Sequence, residues 1–246
     1  MQELTLERQT KLGRRGKGVR RVQEWLTLQG FAVKPDGKFG AATHRALKRF
    51  QNRKGLPATG IVDSATFEQL VAPMRAAVKP IKPGRRTLGQ QVVAYARQHL
   101  KQAPREVGLP NSGPWVRLYM NGNEGPIFPW CAGFVCFVLR QATESMGVAM
   151  PIAQSFGVDE LGFSARANDR FIEGSKARNR RRVKPGSLFL SAKPDPDDWS
   201  HVGIFVSASG DTFTSIEGNT NDEGSFEGFE VCTRTRDWSM KDFIRI

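Results

Sequence analysis

The stretch "PIFPWCAGFVCFVLRQA", Pro126 to Ala142, runs two prolines and a tryptophan straight into a cysteine and then stays uncharged until Arg140. Pro126 and Pro129 disfavour helix upstream, because the residue before a proline avoids the helical region. Ala132 to Leu139 is apolar nearly all round, which predicts a buried helix. Cys131 then stands at the helix N-terminus, where unpaired backbone N–H groups and the macrodipole favour an anion. A thiolate is such an anion, and this placement can lower a thiol pKa from about 8.5 to roughly 3.5–7.5. The same N–H groups can hold the oxyanion of a tetrahedral intermediate. A cysteine is more often a small core residue. Cys136, inside the helix, suits that role, and Cys131 at the first turn does not.

A thiolate nucleophile needs a base, and the chain has three histidines. His44 and His99 fall on helices among polar or cationic neighbours and read as surface residues. His201 opens the apolar strand "HVGIFV". A lone strand histidine is usually structural, but the next strand changes the reading. "SASGDT" is a turn centred near Gly210. Pairing about that centre sets His201 opposite Asn219, with Glu217 diagonally beside it. Residues 201, 217 and 219 share parity and therefore one face, while Val202, Ile204 and Ile216 point the other way. A carboxylate or amide beside a histidine fixes its tautomer and steadies the imidazolium. One helix start and one hairpin thus offer a nucleophile, a base and an orienter.

Further strands are expected at "SLFLSA", "FEVCTRTR" and "DFIRI", so residues 88–246 read as a helical half followed by an antiparallel sheet, an α+β arrangement. Between the helix and the sheet, residues 150–186 read as short helices at best, with five cations in the run Lys176 to Arg182. Upstream, residues 12–72 read as a small all-α unit of three helices. "GVRRVQEWLTLQGF" places Val19, Val22, Trp25 and Leu26 on one stripe, and "ATHRALKRFQNRKGL" places Leu47 and Phe50 on one face with Gly55 closing it. "SATFEQLVA" follows Asp63, which is positioned as its cap. The unit repeats itself: "DGKFGAATHRAL" aligns with "TGIVDSATFEQL", matching Gly37 to Gly60, Thr43 to Thr66 and Leu47 to Leu70. Residues 73–87, "PMRAAVKPIKPGRRT", read as a semi-stiff proline-rich basic linker.

Across the 246 residues, 37 Lys and Arg face 24 Asp and Glu, a net charge of +13 that predicts attraction to a polyanion such as nucleic acid, anionic lipid or an acidic envelope. No apolar run is long enough to span a bilayer. The N-terminal stretch lacks the apolar centre of a secretory signal, so the expected site of synthesis is a host cytoplasm, with action in the periplasm or wall after release. Three widely spaced cysteines argue against a disulfide framework and a zinc site. No nucleic-acid-binding fold or interleaved aromatic and basic pattern is present.

The motifs "PWCAGFV", "VKPGSLFL…WSHVGIFV" and "SIEGNTN" resemble the Cys-His-dependent amidohydrolase/peptidase (CHAP) family of papain-like cell-wall hydrolases, over about residues 88–246. The resemblance implies Cys131 as nucleophile, His201 as base, Glu217 as third member and Asn219 as a further polar member, with Trp130 beside them for substrate. Some relatives of that kind bind calcium through an Asp-rich loop before the cysteine. "YMNGNEGPIFPW" stands there in this chain, so no metal and no cofactor are expected. Residues 12–72 are similar to the peptidoglycan-binding domain of cell-wall enzymes, which offers Asp36, Gly37, Phe39 and Thr43 as glycan contacts. Together the two resemblances imply a monomeric peptidoglycan amidase or endopeptidase. Its partners would be bacterial peptidoglycan and an anionic envelope surface, and no specific nucleic acid. A phage endolysin, a virion-borne lysin and an injected antibacterial effector all fit. A non-catalytic wall-binding structural protein is the alternative of another class.

Overall fold

The computed structural model describes residues 2–174, 177–195, 197–221 and 228–246. In chain order its helices are α1 (Lys17–Leu28), α2 (Ala41–Arg53), α3 (Ser64–Val78), α4 (Leu88–Leu100), α5 (Pro114–Tyr119), α6 (Cys131–Met146) and α7 (Val158–Ala167). Its strands are β1 (Phe171–Ile172), β2 (Leu188–Ala192), β3 (Trp199–Ser209), β4 (Thr212–Thr220), β5 (Glu230–Asp237) and β6 (Lys241–Ile244). The chain divides into two compact units, residues 2–76 with 105–127, and residues 77–104 with 128–246.

In the first unit the expected stripe is the core: Val19, Val22, Trp25 and Leu26 of α1 and Leu47 and Phe50 of α2 are all buried. Asp63 caps α3, its Oδ1 accepting from the Thr66 N–H at 2.8 Å. The internal repeat rests on a residue type that the alignment passed over. Gln23 donates from Nε2 to Asp36 Oδ1 (2.9 Å), the Lys38 carbonyl (3.1 Å) and Thr43 Oγ1 (3.0 Å), and its Oε1 accepts from the Gly37 N–H (2.8 Å). Gln51 does the same one repeat later with Thr59 Oγ1, the Ile61 carbonyl, Thr66 Oγ1 and the Gly60 N–H. Each buried amide satisfies inward-facing polar groups of one turn, while Asp36, Lys38 and Thr59 stay exposed.

The expected linker begins inside a helix. α3 continues through Pro73 to Val78. Proline deprives the Gln69 carbonyl, four residues back, of its helical donor. Gln29 supplies a replacement, with Nε2 at 3.4 Å from that carbonyl and 3.1 Å from the next. Farther on, residues 77–81 belong to the second unit. The Ala77 and Lys79 carbonyls accept from Gln98 Nε2 and the Ile81 carbonyl accepts from Gln91 Nε2, at 2.8–2.9 Å. Composition marked this stretch as a spacer, but side-chain amides of α4 hold its first half.

Residues 105–127, expected in the second domain, pack within the first unit. Trp115 of α5 meets Trp25 edge-on with ring centroids 6.0 Å apart. Arg117 binds three carboxylates, Glu24 at 2.6 Å, Glu124 at 2.7 Å and Glu3 at 2.8 Å. Burial pushes the Glu24 carboxyl up despite these partners. Burial also works against the Arg117 charge, but hydrogen bonds to Glu3 and Glu24 raise its pKa overall.

The second unit carries one antiparallel six-stranded sheet in the order β1-β6-β2-β3-β4-β5. β1, α7 and a 3-10 helix at Ala177–Arg182 occupy the stretch expected to hold short helices at best, and the cationic run of 176–182 lies partly outside the described residues. One sheet face holds an aromatic cluster of Phe189, Phe205, Phe213, Trp238 and Phe243. α6 is buried along almost its whole length and packs against α4, β3 and β4. Gly147, at φ +66°, ends it in the left-handed conformation usual after a helix C-terminus.

Candidate functional site

Cys131 is the first residue of α6, and Trp130 before it makes no side-chain cap. No side-chain cap therefore competes with an anion for the first-turn N–H groups. Gly218 of β4 sets how close the helix comes to the sheet. A Cβ there would lie 2.7 Å from Phe134 Cβ and 2.8 Å from the Trp130 ring, so only glycine permits this approach.

β3 and β4 bring the remaining groups to the thiol. Cys131 hydrogen-bonds His201, and the backbone N–H groups of Val202 and Ala132 also support its sulfur. His201 Nε2 lies 2.8 Å from Glu217 Oε2, which leaves Nδ1 for the thiol. Glu217 is fully buried and has two further partners. Arg236 of β5 grips it with both arms, Nη2 to Oε2 at 2.6 Å and Nε to Oε1 at 2.9 Å, and the Ser215 hydroxyl donates to Oε1. Gly203 makes room for this carboxylate, since a Cβ there would sit 2.7 Å from Glu217 Cγ and 2.6 Å from Phe189. The result is a buried row of thiol, imidazole, carboxylate and guanidinium.

Burial opposes every charge in the row, and the row's own contacts outweigh it. For Cys131, burial pushes the thiol up, but the His201 hydrogen bond and charge bring it below its ordinary value. Burial disfavours the His201 imidazolium, yet Cys131 and Glu217 raise its pKa to about 9. Burial disfavours the Glu217 carboxylate, yet Arg236 and His201 hold its pKa at about 2. The site therefore favours a thiolate–imidazolium pair over a neutral thiol and imidazole. Cys136 shows the contrast. It is buried without such partners, its Sγ faces the Ser155 carbonyl at 3.4 Å, and burial pushes its pKa up to about 11.

The structure brings Cys131, His201 and Glu217 together and leaves Asn219 apart. A register shift falls between Glu217 and Thr220, and Asn219 takes φ +54°. It does not hydrogen-bond the imidazole, and its Oδ1 is buried without a partner. Trp130 is wholly buried, as are Phe39 and Thr43, and Asp36 and Gly37 are engaged by Gln23. Trp130, Phe39 and Thr43 therefore offer no contact surface, whereas Asp36 stays exposed and Gly37 half-buried. His99 is also corrected. It lies at the α4–α6 contact with no exposure, 2.7 Å from Gln141 Oε1, and burial lowers its pKa to about 4. Arg236 was missed. Its signal lies in "VCTRTRD", where Cys232, Arg234 and Arg236 alternate with exposed residues.

Among the described residues no three His, Cys, Asp or Glu side chains converge as a metal site, and no helix is long and apolar enough to cross a membrane. A cavity of about 560 Å³ in the second unit is lined by Arg166, Phe171, Lys193, Trp199, Lys241 and Asp242 among others, and by none of the four residues of the row. Residues 15–70 match a family model described as "Putative peptidoglycan binding domain", which supports peptidoglycan as a partner and a wall-binding role for this part of the chain. No curated protein matches the chain.

Proposed function

We propose that this chain is a peptidoglycan hydrolase that cleaves an amide bond of the stem peptide with Cys131 as nucleophile, as a papain-like CHAP enzyme does. The observation that carries the reading is the buried row Cys131–His201–Glu217–Arg236, whose contacts favour a thiolate beside an imidazolium. A peptidoglycan-binding family match elsewhere in the same chain supports the choice of substrate, because tethering raises local substrate concentration.

In this mechanism the Cys131 thiolate adds to the amide carbonyl. Backbone N–H groups at the start of α6 receive the oxyanion. The C–N bond breaks as His201 gives its proton to the leaving amine, and a thioester remains on Cys131. Water then attacks, its proton passing to His201, and the acid is released as the thiolate returns. Glu217 keeps the imidazole in the useful tautomer, and Arg236 keeps Glu217 ionised and fixed. The bond is either the muramoyl–alanine amide or one within the stem peptide. A phage endolysin, a virion lysin and an injected effector would all use this chemistry.

The test is mass spectrometry of muropeptides after digestion of purified sacculi. The expected products carry one new carboxyl and one new amine, and Cys131→Ala releases none. Intact sacculi with the folded wild-type protein, or products cut at glycosidic bonds, would overturn the proposal.

A further inference from the structure

The net charge of the chain is concentrated in the first unit. Residues 1–76 and 105–127 hold 17 Lys and Arg against 8 Asp and Glu, whereas the second unit holds 20 against 16. Most acids of the first unit are also engaged by its own groups, although Glu7, Asp36 and Glu68 are exposed. Glu3, Glu24 and Glu124 surround Arg117, Asp36 accepts from Gln23 and the Lys38 N–H, and Asp63 caps α3. Most of the bases are exposed, though not Arg21 or Arg117. α2, "AATHRALKRFQNR", has no acidic residue, and Arg45, Lys48, Arg49 and Arg53 are exposed. At 100° per residue Arg45, Lys48 and Arg49 fall within about one third of the helix circumference. None of the three forms an ion pair among the described residues. Arg49 and Arg53 lie over the Phe31 ring, at 5.8 and 4.2 Å from its centroid, which holds their guanidinium groups at the rim of this face.

We infer that the outer face of α2 docks on the free carboxylates of peptidoglycan stem peptides through Arg45, Lys48 and Arg49. This rests on the wall-binding reading of residues 15–70, which include α2. It differs from the turn residues offered by sequence, of which Phe39 and Thr43 are buried and Asp36 is exposed. Two observations favour a hydrophilic polyanion over a membrane. The apolar side chains Leu47 and Phe50 of α2 are wholly buried, and only alanines among its apolar residues are exposed, so the face has no wedge to insert between lipids. Spaced carboxylates on a polymer suit separate guanidinium and ammonium groups, each pair being weak and the set additive.

The experiment uses the full chain with Cys131→Ala, so that the sacculi stay intact, and measures co-sedimentation with purified sacculi between low and high salt. The sacculi are treated with hydrofluoric acid to strip phosphate polymers, and one portion has its carboxylates converted to amides with a carbodiimide. The docking variant is Arg45→Gln/Lys48→Gln/Arg49→Gln, and the control is Lys82→Gln/Arg85→Gln/Lys101→Gln, which removes equal charge from the second unit. Thermal melts check that both are folded. The docking variant is expected to bind roughly tenfold more weakly at low salt, three exposed pairs acting together. The control is expected to bind like its parent, and amidated sacculi are expected to lose the salt-dependent part of binding. Three outcomes overturn the inference while leaving wall binding intact: equal binding to native and amidated sacculi, unweakened binding of the docking variant, or loss of binding on acid treatment alone. Tighter binding of the parent to duplex DNA than to sacculi, with the docking variant losing only the DNA, overturns it as well. Absence of binding to any sacculi at low salt would instead remove the wall-binding reading beneath it.

Discussion

Replacing Arg236 with methionine isolates the member of the row that touches neither thiol nor imidazole. Arg236 Nη2 and His201 Nε2 share Glu217 Oε2 at 2.6 and 2.8 Å, so the two nitrogens lie within about 5.4 Å of each other. At that separation and an effective dielectric constant of about 20, the guanidinium opposes the imidazolium by about 3 kcal/mol, or roughly two pKa units. Without it Glu217 keeps only His201 and the Ser215 hydroxyl, and the His201 pKa should climb from about 9. Relaxation of the freed carboxylate reduces the effect, so the expected rise is about one unit. A more stable imidazolium is a poorer acid toward the leaving amine, and turnover should fall more than substrate binding weakens. The fold should lose about 3 kcal/mol, since a buried carboxylate loses its firmest partner. The assay is an NMR titration of the His201 imidazole, assigned by the resonance missing from His201→Ala, in wild type, Arg236→Met and Arg236→Lys. The lysine keeps the charge but not the two-armed grip, so its His201 should titrate near the wild-type value while turnover still drops. An unchanged His201 titration in folded Arg236→Met would refute the electrostatic reasoning and leave Arg236 a purely structural residue.

Other expectations follow from the same contacts. Cys131→Ser should abolish sacculus hydrolysis while Cys136→Ser retains most of it, measured by release of soluble fragments from equal amounts of folded protein. Gly218→Ala should lower stability by about 1–3 kcal/mol in urea unfolding, because its methyl meets Phe134 and Trp130 at under 3 Å. Stability should also follow pH in a definite sense. The Glu217 pKa is lowered from 4.5 to about 2, so its contribution is present above 4.5 and lost as pH falls toward 2. The His201 pKa is raised from 6.5 to about 9, so its contribution is full below 6.5 and lost as pH rises through 9. Urea midpoints should therefore peak between these limits, and Glu217→Gln should flatten the acid side. A wild-type acid limb that persists unchanged in Glu217→Gln would contradict the assignment.

The helix at Cys131 and the strands around His201 were legible because apolar runs, prolines and glycines act locally. The pairing of His201 with Glu217 was legible too, though by two offsets that cancel. The turn is centred between Gly210 and Asp211, with Ser209 opposite Thr212, and a bulge between Phe205 and Ser207 restores the expected register at Ile204 and Ile216. A second irregularity, after Glu217, removes Asn219 from the face, and parity alone cannot foresee it. Gln23 and Gln51 were invisible because a glutamine on a helix usually faces water, and only the folded turns give it four partners. His99 misled for the same reason: its cationic neighbours are exposed while its own direction points to α6. Residues 105–127 joined the first unit through Arg117 and Trp115, long-range contacts that composition does not encode.

The thiolate itself can be measured without any substrate or reagent entering the site. Ultraviolet difference absorbance between the wild type and Cys131→Ala, followed across pH, reports ionisation of Cys131 alone. Half-ionisation is expected below the ordinary thiol value. In His201→Ala it is expected above that value, because burial then acts on the sulfur without its main counterweight. A wild-type Cys131 that ionises at or above the ordinary value, unchanged by loss of His201, would contradict the account of this site as an activated nucleophile.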